Sequence, residues 1–273
     1  MLKWNRHQGF WNGANVRRFR RFRLVTPIIW LDTFVLALRV LGDRIRRVGI
    51  GSIFALPKSK PKVLYLDLGT HREGKQARLI FEWLTPHAEL TLLGFDANPT
   101  NYSHFAQYHA PAIGMEVAHV ALVGPDYDGK TIDLYLDGKE GLGDTILPQE
   151  GAEAVSVPAM RLSRWLHERA IVLQSQIVLL RMNIEGAEFA VLKDLADAGI
   201  LGNIDGMYGM WNDVQKKGDS AMAAEFDAFL DRENIRNFTF NDRDGKSRFR
   251  YSLVRYRVMT DILAAQSRKP AFH

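Results

Sequence analysis

Two acidic residues near the ends of apolar stretches are the first candidates for chemistry in this sequence. The stretch Val63–Leu68 contains Asp67 near its end, and the stretch Thr91–Phe95 is followed directly by Asp96. Both stretches predict buried strands, and residues 75–84 between them predict a helix. An acid after the second strand of such a unit can accept hydrogen bonds from both hydroxyls of a ribose. The spacing therefore predicts a nucleotide-binding βαβ unit.

The residues after the first strand distinguish between two classes of cofactor. A dinucleotide site uses the pattern G-x-G-x-x-G, so that a pyrophosphate can approach the start of the helix. Here Gly69 is followed by Thr70 and His71, and Glu73 would repel a pyrophosphate near that helix start. A cofactor without phosphates and with a cationic amine fits better, which predicts S-adenosylmethionine. A Rossmann-type oxidoreductase is the disfavoured alternative.

A third strand end carries the most specific segment of the chain, RMNIEGAE. It follows the apolar run Ile177–Asn183, so its polar residues are expected at the carboxyl edge of the sheet, where open α/β sheets bind ligands. Asn183 and Glu185 are two residues apart and share a face of an extended strand. Gly186 permits a tight exit into the helix that carries Glu188.

Where the acceptor of a methyl group is a hydroxyl, its proton must be removed, so residues near this edge are considered as bases. Four residues are candidates: Glu185, His119, His71 and Asp144. Each has a structural alternative. Glu185 can bind the amine of the cofactor or cap the next helix, His119 can be a strand-end residue near the adenine, His71 can lie on the surface, and Asp144 can shape a turn.

Acceptor binding is predicted for residues that follow later strands. Trp211, Asn212 and Asp213 come after the predicted strand Gly206–Met210, and an exposed Trp beside polar residues can stack on a sugar face. A packed Trp beside a turn is the equal alternative. Asp144 is a further acceptor-binding candidate. No metal site is predicted, because no pair of carboxylates is established at one strand end.

Strands that alternate with helices predict the α/β class, with a doubly wound, mostly parallel sheet of seven strands. The alternation continues through a strand near 115–123, the strand Thr131–Leu136 and a short helix at Arg161–Arg169. At the end of the chain, Arg236–Phe240 and the alternating residues Tyr251–Arg257 predict an antiparallel hairpin. We expect a helical turn after it.

The first part of the chain differs from the rest in charge. Residues 1–62 hold 14 Lys or Arg and 2 acids, whereas residues 63–273 hold 22 and 29, so the net charge of +5 conceals a basic segment and an acidic body. The linker-like residues 56–62 predict a boundary between a helical N-terminal extension, residues 1–60, and a catalytic domain, residues 61–273. Nucleic acid is a disfavoured partner, because the body has no basic excess.

The apolar run Leu24–Val48 in this extension leaves three interpretations open. It can be a helix packed on the domain with a solvated basic arm, a peripheral contact with an acidic membrane surface, or a membrane span. Asp32 would fall in the middle of a span at a cost of about 3 kcal/mol, which disfavours the last one. The absence of Cys suits a reducing cytoplasm, so a cytoplasmic protein, peripheral to the inner membrane face in the second case, is expected.

The segment RMNIEGAE resembles the hallmark Lys-x-Asp-x-Glu-Gly-x-Glu of the FkbM-type methyltransferases, with Arg181, Asn183, Glu185, Gly186 and Glu188 at the matching positions. The resemblance covers about Val63 to Leu195 and includes Asp67, Gly69 and Asp96, with Asn98 and Pro99 after the last. It departs from the family where Asn183 replaces the usual Asp, and where Gly69, Thr70 and His71 replace Gly-Ala-Asn.

The resemblance implies an S-adenosylmethionine-dependent class I methyltransferase that acts on a hydroxyl of a carbohydrate, a glycolipid or another secondary metabolite. Catalytic roles are predicted for Glu185 and Asn183, which occupy motif positions, and for His119, which follows the third strand. The residues predicted to bind the cofactor are Asp67, Gly69, Thr70, His71, Asp96, Ala97, Asn98, Ala121, Asn183 and Glu185. The missing carboxylate at Asn183 leaves a second alternative, a non-catalytic methyltransferase fold that binds a membrane or nucleic acid through its basic N-terminal part.

Overall fold

The computed structural model describes residues 25–57, 59–137, 143–209, 211, 213–214, 220–238 and 248–269. Its strands are β1 (Lys62–Leu68), β2 (Glu89–Asp96), β3 (Glu116–His119), β4 (Ala121–Leu122), β5 (Thr131–Leu136), β6 (Glu153–Met160), β7 (Ile177–Met182), β8 (Ile204–Gly209) and β9 (Asn237–Phe238). Its α-helices are α1 (Val25–Val48), α2 (Lys75–Leu84), α3 (Pro99–Tyr108), α4 (Leu162–Glu168), α5 (Glu188–Asp197), α6 (Ser220–Arg232) and α7 (Arg248–Arg268).

The main sheet has the strand order β3-β2-β1-β7-β8-β9. Within the described residues, all of its neighbouring strands are parallel. The first strand, β1, lies in the middle of this sheet. Strands β2 and β3 follow on one side, and β7, β8 and β9 then form the other side. The order reverses between β1 and β7, and in open α/β sheets the ligand crevice forms outside the carboxyl ends of the strands at such a point.

Strand β1 is buried on both faces, as expected for the centre of a parallel sheet. Its even-numbered leucines pack with α4, α5 and α6, whereas Val63 and Tyr65 pack with α2 and α7 on the opposite face. This alternation follows from the two-residue period of a strand. The doubly wound α/β architecture predicted from the sequence is therefore present.

A smaller sheet continues from the edge of the main one. Strand β4 pairs in parallel with β6, and β6 pairs in antiparallel fashion with β5 from Thr131↔Pro158 to Leu136↔Glu153. Tyr135 also forms an isolated bridge with Thr145 in the loop that follows β5. The three short strands carry this loop towards the carboxyl edge of the main sheet.

The predicted antiparallel hairpin at the end of the chain is wrong. Tyr251–Arg257 lies within helix α7, and in the described residues the main sheet has six strands rather than seven, with β9 parallel to β8. The alternation of a few residues misled the prediction. Buried Val254, Val258 and Ile262 recur every four residues, which is the period of a helix face.

Helix α1 lies against α7, so the described part of the predicted N-terminal extension is in contact with the catalytic domain. A network of charged side chains joins the two helices, with Arg47 bonded to Asp261 and Arg257 bonded to both Asp43 and Asp261. In the part of the chain that the structure describes, no helix is long and apolar enough to cross a membrane. The arginine-rich residues 1–24 lie outside the described residues.

Candidate active site

A cavity of about 420 Å³ opens at the carboxyl ends of β1, β2, β7 and β8. Gly69, Asp96, Asn183 and Gly209 line it, one from each of these strand ends. The cavity therefore lies at the point where the strand order reverses. Its volume is in the range of about 300–1,000 Å³ that small-molecule sites occupy.

Asp96 is the last residue of β2, and its carboxylate faces the cavity. One oxygen, Oδ2, accepts from the backbone N–H of His71 at 2.7 Å and from the hydroxyl of Thr70 at 3.4 Å. The other, Oδ1, accepts from the backbone N–H of Asn98 at 3.0 Å. Burial raises the pKa of Asp96 to about 6, against the lowering effect of these bonds. Because a carboxylate has about four acceptor positions, one remains for a ligand.

The loop after β1 is shaped by its close approach to β7. The backbone N–H groups of Gly69 and Thr70 both donate to the carbonyl of Phe95, at 2.8 and 3.2 Å. Gly69 has a φ of 84°, and a Cβ there would lie 2.2 Å from the carbonyl oxygen of Asn183. Only Gly fits this position, since a side chain would force the two strand ends apart.

Asp67 lies beneath the cavity rather than in its wall. It is fully buried, faces Arg181 directly across β1 and β7, and accepts from Nη1 of that Arg at 2.5 Å. Burial raises the pKa of Asp67, although Arg181 acts in the opposite direction. Asp67 is not among the residues that line the cavity, and its contact with a cofactor stays a prediction. Arg181, which also donates to the carbonyl of Gly69 at 3.0 Å, lines the cavity instead.

The EGAE turn after β7 is held by its own last residue. The carboxylate of Glu188 is completely buried and accepts from the backbone N–H groups of Ile184 and Gly186, both at 2.9 Å. Burial raises the pKa of Glu188 to about 7, opposed by these backbone bonds. Glu185 adopts a positive φ of 54° and lines the cavity. An acid held in this conformation at a ligand cavity is a candidate for function.

The loop that follows β5 closes the cavity on another side. Asp144 accepts from the side-chain amide of Asn98 at 2.5 Å and from the backbone N–H of Asp137 at 3.0 Å. Its neighbour Thr145 donates its hydroxyl to the carbonyl of Glu185 at 2.7 Å. These bonds tie the loop both to the end of β2 and to the EGAE turn, so three segments distant in sequence form one wall.

Eleven of the fifteen predicted site residues line this cavity: Gly69, Thr70, His71, Asp96, Ala97, Asn98, Ala121, Asp144, Asn183, Glu185 and Asp213. His119 does not. Its ring stacks on Tyr102 at 5.0 Å between centroids, and its Nε2 lies 3.1 Å from the carbonyl of Ala97. Because a carbonyl only accepts, Nε2 of His119 is the donor in this contact, and the catalytic role of His119 stays a prediction.

The predicted acceptor residues after β8 have different positions. Asp213 is buried at the cavity wall. Trp211 is only 5% exposed and packs in the core, with its ring centroid 6.2 Å from that of Phe226, so the stacking of a sugar on Trp211 has no support. Asn212 lies outside the described residues.

Several of the residues that line the cavity were not predicted from the sequence. Thr145 and Ile146 directly follow Asp144, and Leu122 follows the predicted strand residue Ala121, so proximity to predicted residues was the available signal. Arg181 was recognised only as a motif position. Its pairing with Asp67 depends on the register of β1 and β7, which no local pattern reveals.

Comparison with protein families agrees with this geometry. The family model described as Methyltransferase FkbM domain matches residues 67–234, which is more than half of the chain. The chain belongs to this family. The match contains every residue that lines the cavity, from Gly69 to Asp213, whereas α1 and α7 lie outside it. Membership of the FkbM family supports methyltransferase activity.

The comparisons with curated proteins and with solved structures found no match to the chain. Within the described residues, no group of three or more His, Asp or Glu side chains is arranged to hold a metal ion.

Proposed function

We propose that this FkbM methyltransferase uses S-adenosylmethionine and transfers its methyl group to a hydroxyl of a carbohydrate, a glycolipid or another secondary metabolite. The family supports methyl transfer. The cofactor and the acceptor are our inferences, and each has a separate basis. The cofactor is inferred from the cavity, and the acceptor from the resemblance to FkbM-type enzymes.

The observation that carries the cofactor proposal is the position of Asp96 at the end of β2, with its carboxylate facing the cavity. The bonds from His71 and Asn98 fix both of its oxygens in place. A carboxylate held in this way can accept from the ribose of a nucleoside ligand, as in other open α/β sheets. The apolar side chains of Leu122, Leu134 and Ile146 in the same cavity suit the adenine.

The charges in the cavity favour a cationic ligand. Five acidic residues line it, and these are Glu73, Asp96, Asp144, Glu185 and Asp213, against the two cations Lys75 and Arg181. A pyrophosphate would be repelled by this excess, whereas a sulfonium and an ammonium group would be attracted. The same charges, together with the lack of G-x-G-x-x-G, argue against the oxidoreductase alternative.

When bound, S-adenosylmethionine supplies an electrophilic methyl group on a sulfonium. The chain must orient the acceptor, exclude water and accept a proton. Glu185 is the candidate for the last task, because it is a carboxylate at the cavity wall on a turn fixed by Glu188 and Thr145. Asn183 cannot accept a proton from a hydroxyl, since it is an amide; its Nδ2 lies 3.5 Å from Oε1 of Glu185 and helps to position that carboxylate.

Calorimetry on the purified protein tests the cofactor directly. We expect heat of binding with S-adenosylmethionine and none with a nicotinamide dinucleotide. The acceptor is then sought by incubating cell extracts with the protein and isotopically labelled S-adenosylmethionine, followed by mass spectrometry. Binding of the dinucleotide alone would overturn the proposal, and cofactor binding without methyl transfer to any extract component would favour the non-catalytic alternative.

A further inference from the structure

Exposed apolar side chains are concentrated in one part of the described chain. Eight large hydrophobic residues are strongly exposed among the described residues, and only Tyr108 and Val172 lie outside residues 31–56. The other six are Leu31, Phe34, Leu38, Ile50, Phe54 and Leu56. Single exposed hydrophobic residues are ordinary, but six within one short segment indicate an interaction site.

Three of these residues form a stripe on α1. Leu31, Phe34 and Leu38 are spaced at i, i+3 and i+7, so they share one face of the helix. Val40 and Arg44, which are 2% exposed, lie on the opposite face. Helix α1 therefore turns one face towards α7 and presents the stripe on the other, where each of the three side chains is more than half exposed.

The turn after α1 presents the other exposed residues from a fixed backbone. Arg44 donates from Nε to the carbonyl of Ser52 at 2.8 Å and from Nη2 to the carbonyl of Ala55. Tyr256 on α7 donates its hydroxyl to the carbonyl of Ile53 at 3.0 Å. Between these anchored carbonyls, the side chain of Phe54 is 95% exposed. An aromatic ring held in solvent by a tethered turn suits insertion into a partner.

Basic residues accompany the apolar ones. Arg39, Arg46, Lys60 and Lys62 are exposed in the same segment. By sequence, residues 1–62 carry 14 basic and 2 acidic side chains, whereas the rest of the chain is acidic. Apolar side chains bordered by cations match the interface of a bilayer that contains anionic lipid, where the rings enter the headgroup region and the cations remain at the phosphates.

We propose that residues 31–62 form a docking surface for an anionic lipid bilayer, with α1 lying along the membrane rather than across it. The buried contacts with α7 hold the inner face of α1, so the outer stripe is available without unfolding. A duplex nucleic acid would engage the cations but gains nothing from the six apolar side chains, because its affinity comes mainly from phosphate contacts. This proposal is independent of the methyl-transfer reaction.

Flotation of the full chain with lipid vesicles tests the proposal. We expect binding to vesicles of phosphatidylcholine mixed with phosphatidylglycerol, weaker binding to phosphatidylcholine alone, and release as the salt concentration rises. The variants Phe34→Gln/Leu38→Gln and Phe54→Ser should each bind at least about tenfold more weakly, since they remove apolar surface from the membrane contact. These side chains are exposed, so circular dichroism should show an unchanged fold.

The matched control is Tyr108→Ser/Val172→Ser, which removes the two strongly exposed hydrophobic residues outside the segment. It should bind vesicles like the unmodified chain. Equal losses in the control and in the α1 variant would overturn the proposal, as would an absence of vesicle binding. Analytical ultracentrifugation supplies a further check. If the chain does not bind vesicles but forms a dimer, and Phe34→Gln/Leu38→Gln dissociates that dimer, the surface binds a second copy of the chain. Retention of a DNA duplex but not of vesicles would assign it to nucleic acid.

Discussion

The cavity and the α1–α7 contact both bury carboxylates, but they hold them with different hydrogen-bond donors. At the cavity, Asp96 and Glu188 are held by backbone N–H groups, and burial raises the pKa of each. At the helix contact, burial would raise the pKa of Asp43, but Arg257, Arg46 and Arg47 outweigh it and lower the pKa. Asp261 in the same contact is bonded to two arginines.

This difference distinguishes a ligand-binding site from a contact that only holds two helices together. Backbone amides fix the position of a carboxylate without cancelling its charge, so Asp96 can still attract a cationic ligand. Guanidinium groups cancel the charge of Asp43 and Asp261, so these two carboxylates do not attract a cationic ligand. The cavity is therefore arranged for binding, and the helix contact for holding α1 in place.

The largest expected effect is on the free energy of unfolding, when the α1–α7 contact is disrupted at Asp261. This residue is fully buried and accepts from Arg47 at 2.5 Å, from Arg257 at 3.0 Å and from the hydroxyl of Tyr208 at 2.5 Å. Asp261→Ala leaves the buried Tyr208 hydroxyl without this acceptor and leaves Asp43 as the carboxylate shared by Arg47 and Arg257, so the free energy of unfolding should fall by about 3–5 kcal/mol. Urea denaturation measures this change.

The control for Asp261→Ala is an ion pair on the surface. Glu168 accepts from Arg164 at 2.7 Å on α4, and both side chains are well exposed. Glu168→Ala should alter the free energy of unfolding by less than about 1 kcal/mol. Similar losses in the two variants would contradict the contrast between a buried contact and a solvated pair.

The next effect concerns the pH dependence that Glu188 imposes. Its pKa in the folded chain is about 7 and its ordinary value is 4.5, so the folded state binds more protons between these two values. Its contribution to stability is therefore present below about pH 4.5 and is lost as the pH rises to about 7. Over this range, the free energy of unfolding of the unmodified chain should fall by up to about 3 kcal/mol relative to that of Glu188→Gln.

Urea denaturation across this pH range compares the two proteins. The matched control is Glu168→Gln, whose curve should run parallel to that of the unmodified chain, because Glu168 is exposed. If Glu188→Gln is also parallel to the unmodified chain, Glu188 does not hold a raised pKa, and the first half of the comparison fails.

A third, smaller effect tests the binding role of the cavity carboxylate. Asp96→Ala should weaken S-adenosylmethionine binding by about 1–3 kcal/mol, because a ribose hydroxyl of the cofactor loses its acceptor. Calorimetry measures this change. Asp133→Ala, which removes an exposed acid from β5, is the control and should bind normally. Unchanged affinity in Asp96→Ala would remove the ribose assignment while leaving the stability contrast intact.

Much of the fold could be predicted because its signals are local. The apolar run of β1 and the helix period of α2 stand in single windows, and the predicted helix bounds 75–84 match α2. The C-terminal residues failed for the same reason. Within Tyr251–Arg257 the apolar residues alternate as in a strand, and the helix period becomes clear only when the window extends to Ile262 and Ala265.

Site residues could be predicted from the sequence where the end of a strand determines their position, but not where long-range packing determines it. Asp96 and Glu185 follow strands, and parallel strands bring such residues to one edge. Asp67 has a similar position in sequence, yet the strand period turns it to the face of Tyr65, where Arg181 meets it. The loop with Asp144 and Thr145 was assigned to the site only in part, because its bonds to Asn98 and Glu185 span 46 and 40 residues.

The smallest expected effect concerns the loop wall of the cavity. Thr145 is 2% exposed, donates to the carbonyl of Glu185 at 2.7 Å and accepts from the backbone N–H of Leu147 at 3.1 Å. Thr145→Val keeps the shape and removes both bonds, so the free energy of unfolding should fall by about 1 kcal/mol. Hydrogen exchange should become faster at residues 143–147 and stay unchanged in α1 and α7, whereas Thr131→Val on the exposed side of β5 should leave both regions as they are. Faster exchange that extends to α1 would mean that the cavity and the α1–α7 contact open together, and that their separate chemistry does not make them separate units.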